Sequence, residues 1–171
     1  LAVPLTPDGA EDRTWWQEIG PHLRWLRALT EEKLLTDLPV ARDRVTWMGY
    51  SGGAEMMTYG VLSGARDLVT GGAVMIGGGG APDALVQPAT ARQKKDLPLW
   101  WATGSNDVGT DPNADFDALR AAREGQRFYE ERGFRRTRLH VAQGRDHFDM
   151  PDAAILDELL GAEEPSPTAT R

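Results

Sequence analysis

The chain contains no cysteine, which excludes a disulfide framework, a thiolate metal site and a cysteine nucleophile while leaving its compartment open. It has no block of lysine or arginine, and its formal charge is −7. The basic footprint that a phosphate backbone demands is therefore missing, and nucleic acid is not an expected partner. No apolar run approaches the roughly 18 residues that suggest a membrane span, and no charged segment precedes a short apolar one as in a signal peptide. Histidine is scarce, with three copies at positions 22, 140 and 147. His22 has no Cys, Asp or His at metal-ligand spacing, and neither a metal nor a cofactor is expected. What is present is ordinary for a globular protein: 171 residues, 40% hydrophobic and 26% charged, enough for one domain with a substantial core and too few for two.

Hydrophobic periodicity divides the chain into alternating elements. Leu1-Ala2-Val3-Pro4-Leu5 reads as the end of a buried strand running into a Thr-Pro-Asp-Gly turn. From Trp15 through Ile19, Leu23 and Leu26 to Leu34, apolar residues recur at helical steps, with Thr14 or Asp12 as caps and a kink or a division into two shorter helices expected at Gly20-Pro21, where proline interrupts the pattern. Residues 44–50 predict a strand and 52–64 a helix. Gly71 to Ile76 predicts a buried strand that ends in four consecutive glycines, Gly77 to Gly80. That run lacks the spacing of a phosphate cradle and reads as a flexible loop. Residues 81–96 look irregular. Leu97 to Thr103 predicts a strand apolar on both faces, and 115–132 an amphipathic helix ended by Gly133. Residues 137–141 predict a last strand and 150–160 a last helix. The domain is thus expected over residues 1–162, and the Pro-, Ser-, Thr- and Glu-rich tail 163–171 is expected to be disordered. Strands alternating with helices, with no hairpin signal, predict an α/β fold: a parallel sheet with helices on both faces.

The stretch that organises this pattern is Gly49-Tyr50-Ser51-Gly52-Gly53, between a predicted strand and a predicted helix. Glycine on either side of a sharp strand-to-helix turn leaves the backbones room to pass, and the serine at its apex is exposed above a helix N-terminus. A capped βα turn would share these residues. Two more loops follow strands, Gly104-Ser105-Asn106-Asp107 and Gly144-Arg145-Asp146-His147, and in a parallel sheet the carboxyl ends of strands share one edge. A serine hydroxyl needs a base to become a nucleophile, and a carboxylate fixes the tautomer of that base. Ser51, Asp107 and His147 supply the three groups in the chain order Ser, acid, His. Asp111 and Asp83 are rivals for the acid, and His140 is the rival base, although its position inside a strand suits a packed histidine. Asp146 reads as a loop solvation residue, and Glu55 as a first-turn carboxylate favoured by the helix dipole.

These residues, from Gly49 to Met57, with the Pro-Leu-Trp-Trp strand before Asp107 and the Gly-x-x-His-Phe segment at 144–148, resemble the C-terminal two-thirds of an α/β-hydrolase. The likeness is to esterases of the polyhydroxybutyrate-depolymerase, feruloyl-esterase and carboxylesterase-like groups. It implies Ser51 as nucleophile, His147 as general base and acid, Asp107 as orienting carboxylate, and the backbone N–H of Gly52 as an oxyanion donor. The implied reaction is cleavage of a small-molecule carboxylic ester through an acyl-enzyme, with amides and thioesters as alternatives on the same machinery. Trp47 and Trp100 are expected in the core, and Tyr50 and Trp101, which flank the loops, are candidates for lining an acyl or aryl pocket.

At the front the chain departs from the family. The family's second oxyanion donor follows its third strand, which lies between the fourth and the fifth, and no segment here matches it. Residues 1–5 would then be separated from the strand at 44–50 by an empty lane of unpaired backbone. The expectation is a fold lacking its N-terminal strands, completed by a further portion of roughly 60 to 110 residues or by a companion chain. A non-catalytic fragment that associates with another chain is the alternative from outside enzymology.

Overall fold

The computed structural model describes residues 1–7, 9, 14–110 and 115–162. Its frame is a four-stranded sheet in the order β1-β2-β3-β4, every neighbouring pair parallel: β1 Thr46–Tyr50, β2 Gly72–Ile76, β3 Leu99–Gly104 and β4 Thr137–Ala142. The two central strands, β2 and β3, were legible as hydrophobic runs because burial on both faces removes the polar alternation of a half-exposed strand, whereas the edge strands β1 and β4 keep exposed positions. Sequential strands are neighbours, so each crossover carries one helical segment over the sheet.

Two apolar layers cover the sheet. On one face Ala73, Met75, Leu99 and Trp101 meet Leu26, Met57, Leu62, Ala122, Phe128 and Tyr129. On the other Val74, Ile76 and Ala102 meet Ile155, with Trp100 packed beside them. The alternation follows from the two-residue period of the pleat. The first layer is roofed by three helices. Helix α1 (Ile19–Ala28) runs on through a π-helical stretch, Leu29–Leu34, to a last turn at Leu35–Asp37. Helix α2 begins at Gly52–Glu55 and continues through a π-helical stretch, Met56–Val61, to Leu62–Gly64. After the short helix α3 (Ala91–Asp96), helix α4 spans Ala118–Glu131. Tyr129 pins α4 to α2: its ring is fully buried and its hydroxyl donates to the Thr58 carbonyl at 3.0 Å. The second layer is covered by α5 (Asp152–Ala162). Helices therefore lie on both faces, as the alternating pattern requires. Among the described residues no helix is long and apolar enough to cross a membrane.

Four local expectations are corrected. Residues 1–5 form no strand, and Leu1, Val3 and Leu5 are exposed at 113, 78 and 73%; β-prone residues make a strand only where a partner accepts their backbone groups. Gly20-Pro21 does not kink a long helix but lies in the first turn of α1, where the missing proline N–H would have had no intrahelical acceptor. The segment 81–96 ends in a real helix, because Thr90 and Gln93 form a reciprocal capping box. Gly77 to Gly80 is not a loose loop; all four residues are buried. The predicted cap Asp12, the rival acid Asp111 and the tail 163–171 lie outside the described residues.

Candidate functional site

The carboxyl ends of the strands carry the site, and the ladder fixes the loops there. Ser51 N–H donates to Ile76 O at 2.8 Å, Gly77 N–H to Ala102 O at 2.9 Å, and Ser105 N–H to Ala142 O at 3.0 Å. Each loop is thus tied to the strand beside it for one residue beyond the sheet. The glycine loop after β2 lies between the serine loop after β1 and the aspartate loop after β3, and forms the floor.

Ser51 sits at the apex of the turn with φ 51° and ψ −119°. It is one of two non-glycine residues with positive φ among those described, the other being Glu18. Such a backbone costs on the order of 1–3 kcal/mol and persists only when its surroundings hold it. Here the hold is steric. A Cβ on Gly49 would lie 2.5 Å from the Gly53 carbonyl carbon and 2.8 Å from Ala54 N, so strand and helix pass too closely for any side chain. Gly53 itself meets nothing within 4 Å, which makes it the dispensable glycine of the motif. Gly52 opens α2, where the first N–H groups have no intrahelical acceptor and are free for an anionic oxygen.

The three predicted groups are brought together. His147 Nε2 lies 2.9 Å from Ser51 Oγ, and His147 Nδ1 lies 2.9 Å from Asp107 Oδ2. His147 is 5% and Asp107 3% exposed. The second Asp107 contact is Thr103 Oγ1, which donates to Oδ2 at 3.5 Å. The aspartate backbone is held as well, its N–H by Gly104 O at 3.3 Å and its carbonyl by Leu119 N–H at 2.9 Å. The geometry allows the imidazole to take the serine proton while the carboxylate holds the other ring nitrogen. The rivals are elsewhere: Asp83 is exposed, and His140 belongs to β4. His22 is a packed histidine, 3% exposed, against Trp15 with the Trp15 carbonyl 3.3 Å from Nδ1. Asp146 accepts from Phe148 N–H at 2.9 Å and shapes the histidine loop.

Of the two pocket candidates, neither lines the cavity beside Ser51. Trp101 is fully buried, its indole N–H donating to Gly79 O at 2.8 Å, because a central strand turns this residue into the helix-covered core. Tyr50 braces the histidine from behind: its hydroxyl donates to His147 O at 2.6 Å and its ring centroid is 5.3 Å from the imidazole. Burial raises the Tyr50 pKa, helped by the acids Asp152, Asp107 and Asp146, so the phenol stays a donor.

The cavity, about 820 Å³, is lined instead by Trp16, Tyr59, Phe116 and Phe148 together with Glu55 and the Ser51–His147 pair. Glu55 is the member whose role the helix dipole alone does not explain. One turn beyond Ser51, it accepts from Gly79 N–H at 2.7 Å and from Gly80 N–H at 3.3 Å, which clamps the glycine loop. Burial raises its pKa and these two N–H groups oppose the rise. Its spacing of four from Ser51 on one helix face was the available signal; the N–H partners come from a loop remote in sequence. The position of Phe148 beside His147 was likewise a usable hint. Nothing in the periodicity separated Phe116 from the helix that follows it.

No family model matches the chain, and no curated protein matches it in sequence. Solved structures do. SOBER1 of Arabidopsis thaliana superposes with a TM-score of 0.64 at 15% identity, over 86% of this chain and 65% of that one. An uncharacterized protein from Bacillus cereus ATCC 10987 superposes with a TM-score of 0.65 at 14% identity, over 94% of this chain and 49% of that one. The chain therefore spans less than two thirds of either neighbour. At this identity the likeness speaks for the fold, which is an α/β fold similar to that of α/β-hydrolases.

Proposed function

We propose that the chain carries the catalytic centre of a serine hydrolase that cleaves carboxylic esters through an acyl-enzyme. The observation that supports this most directly is the pair of 2.9 Å contacts that join Ser51, His147 and Asp107 in a line. In this reading His147 removes the Ser51 proton as Oγ attacks the ester carbonyl, and Asp107 stabilises the imidazolium that results. The tetrahedral oxyanion is received by the Gly52 N–H at the start of α2. Collapse expels the alcohol, protonated by His147, and leaves an acyl-serine. Water, deprotonated by the same imidazole, then releases the acid. Thioesters and amides are alternative substrates of the same steps.

The proposal extends to a further portion of protein. Among the described residues β1 pairs only with β2, so its other edge offers unpaired backbone to an additional strand. The loss of one oxyanion donor costs about 10²- to 10³-fold in turnover, and a form of the protein with that edge covered is expected to exceed the present chain by such a factor. An equal rate for both refutes this extension. The central test is labelling with a fluorophosphonate and mapping of the adduct by mass spectrometry. The expected adduct is on Ser51 and is lost in His147→Ala. If neither the chain nor a longer form that contains it is labelled, the enzyme reading fails, and the alternative of a non-catalytic unit that binds another chain takes its place.

A further inference from the structure

The lining of the cavity beside Ser51 combines two features that serve one kind of ligand. Four aromatic side chains, Trp16, Tyr59, Phe116 and Phe148, reach it from four different segments, and two carboxylates, Glu55 and Asp115, face the same space. No lysine or arginine is among the described residues that line it. Glu55 and Phe116 converge closely: a Cβ on Gly78 would lie 2.8 Å from Glu55 Oε1 and 3.3 Å from Phe116 Cε1. Tyr59 and Glu55 meet two residues on, where a Cβ on Gly80 would be 2.6 Å from the Tyr59 hydroxyl and 3.4 Å from Glu55 Oε2. Trp16 closes the opposite wall, its Cδ1 2.7 Å from a Cβ built on Gly52. The Glu55 hydrogen bonds found come from backbone N–H groups, which carry no net charge, and among the described residues no cation pairs with its carboxylate.

An aromatic wall alone would suit any apolar group, and carboxylates alone any donor. Together they select a cation too weakly hydrated to lose much on leaving water, which sits over ring faces and satisfies the carboxylates without needing several hydrogen bonds. We infer that the cavity takes substrates bearing an alkylammonium group, placed between Glu55 and the rings of Trp16, Tyr59 and Phe116 while Ser51 attacks the adjacent ester. This deepens the hydrolase reading and rests on it for the attack, not for the binding. The net charge of −7 adds a weak long-range attraction of the same sign. Anionic acyl or alcohol groups are disfavoured in the same space, since Glu55 and Asp115 would face them.

The test compares choline with its uncharged isostere 3,3-dimethyl-1-butanol, as ligands of the Ser51→Ala chain, by calorimetry or by NMR shift titration. Choline is expected to bind at least about tenfold more tightly. That preference is expected to shrink towards unity in Glu55→Gln and to fall several-fold in Phe116→Ala, which leaves the carboxylate in place. Choline that binds no better than its isostere, or not measurably, overturns the inference; so does a preference indifferent to both substitutions. Turnover of a choline ester and of the matching 3,3-dimethylbutyl ester by the unmodified chain then separates the two proposals. A binding preference without hydrolysis of either ester, by the chain or by a longer form that contains it, leaves the cation site standing and sinks the esterase, whereas equal hydrolysis of both esters leaves the esterase standing and sinks the cation site.

Discussion

Two glycine-rich loops leave adjacent parallel strands at the same edge of the sheet, and they behave in opposite ways. The loop from Gly49 to Gly53 folds back so sharply that Ser51 is held at φ 51°, projecting its hydroxyl. The loop from Gly77 to Gly80 lies flat and buried beneath it, with Gly77, Gly78 and Gly79 at φ 61°, 151° and 88°, and surrenders the N–H groups of Gly79 and Gly80 to Glu55. Glycine permits both outcomes because it removes the Cβ. Which one occurs depends on the neighbour: in the first a helix comes back against the strand that feeds it, in the second a side chain from that helix closes over the loop. The two are then a single device, since Glu55 ties the floor of the site to the helix that follows Ser51.

The largest effect expected concerns the first loop. Ser51→Ala is expected to lower turnover of an activated ester on the order of 10⁶-fold, and Asp107→Asn by about 10⁴-fold, in steady-state assays. Asp83→Asn should stay within about twofold, as befits an exposed surface position; an equal loss there would move the acid to the loop after β2. Next comes the elbow itself. Gly49→Ala drives a methyl group into the Gly53–Ala54 backbone, which cannot give way, and is expected to cost about 3 kcal/mol in urea unfolding. Gly53→Ala meets open space and should cost under about 1 kcal/mol. Equal costs would mean that close approach is not what the motif requires.

The second loop gives a smaller effect. Glu55→Ala strands the N–H groups of Gly79 and Gly80, at a cost of about 1–3 kcal/mol. Glu55→Gln keeps an acceptor, and its stability relative to the parent chain should vary with pH. Burial raises the folded-state pKa of Glu55 above 4.5, so its contribution is fully present below that pH and is lost as pH rises through the folded value. The glutamine variant should therefore gain on the parent as pH rises above 4.5, and a pH-independent difference sinks the assignment. The smallest effect lies far from both loops. Arg27 forks onto Asp67 at 2.7 and 2.8 Å and holds its carboxyl down to about 2. The stability this lends is present above the ordinary carboxyl value of 3.8 and is lost as pH falls towards 2. Because the pair is partly exposed, Arg27→Met should cost under about 1 kcal/mol at neutral pH and nothing near pH 2.

Much of the fold was legible along the chain. The two central strands are short runs buried on both faces, and each helix of the main layers carries a three- and four-residue stripe; periodicity located the strands to within about two residues and the helices to within about four. Ser51, Asp107 and His147 were legible for a different reason: each stands in a loop directly after a strand, and parallel pairing sends such loops to one edge. Trp101 and Tyr50 were misjudged as pocket walls, because adjacency to a loop does not say which face of a strand a ring occupies. Glu55 was undervalued because its partners lie on a loop more than twenty residues away. The strand expected at 1–5 failed on the same ground, since a strand is defined by a partner that its own residues do not contain.

The amino-acid sequence by itself determined the order of elements, the parallel α/β class, and the three groups that meet at the strand ends. Those properties follow from local periodicity and from the backbone freedom of a few glycines, and both are written residue by residue. Tertiary structure decided the contents of the cavity. It turned Trp101 inward, set Tyr50 behind the imidazole, and gathered Trp16, Tyr59, Phe116 and Phe148 around a carboxylate that grips a buried loop. Such contacts join segments whose separation in the chain carries no information about their distance in space, and only the packed sheet and its helices fix it.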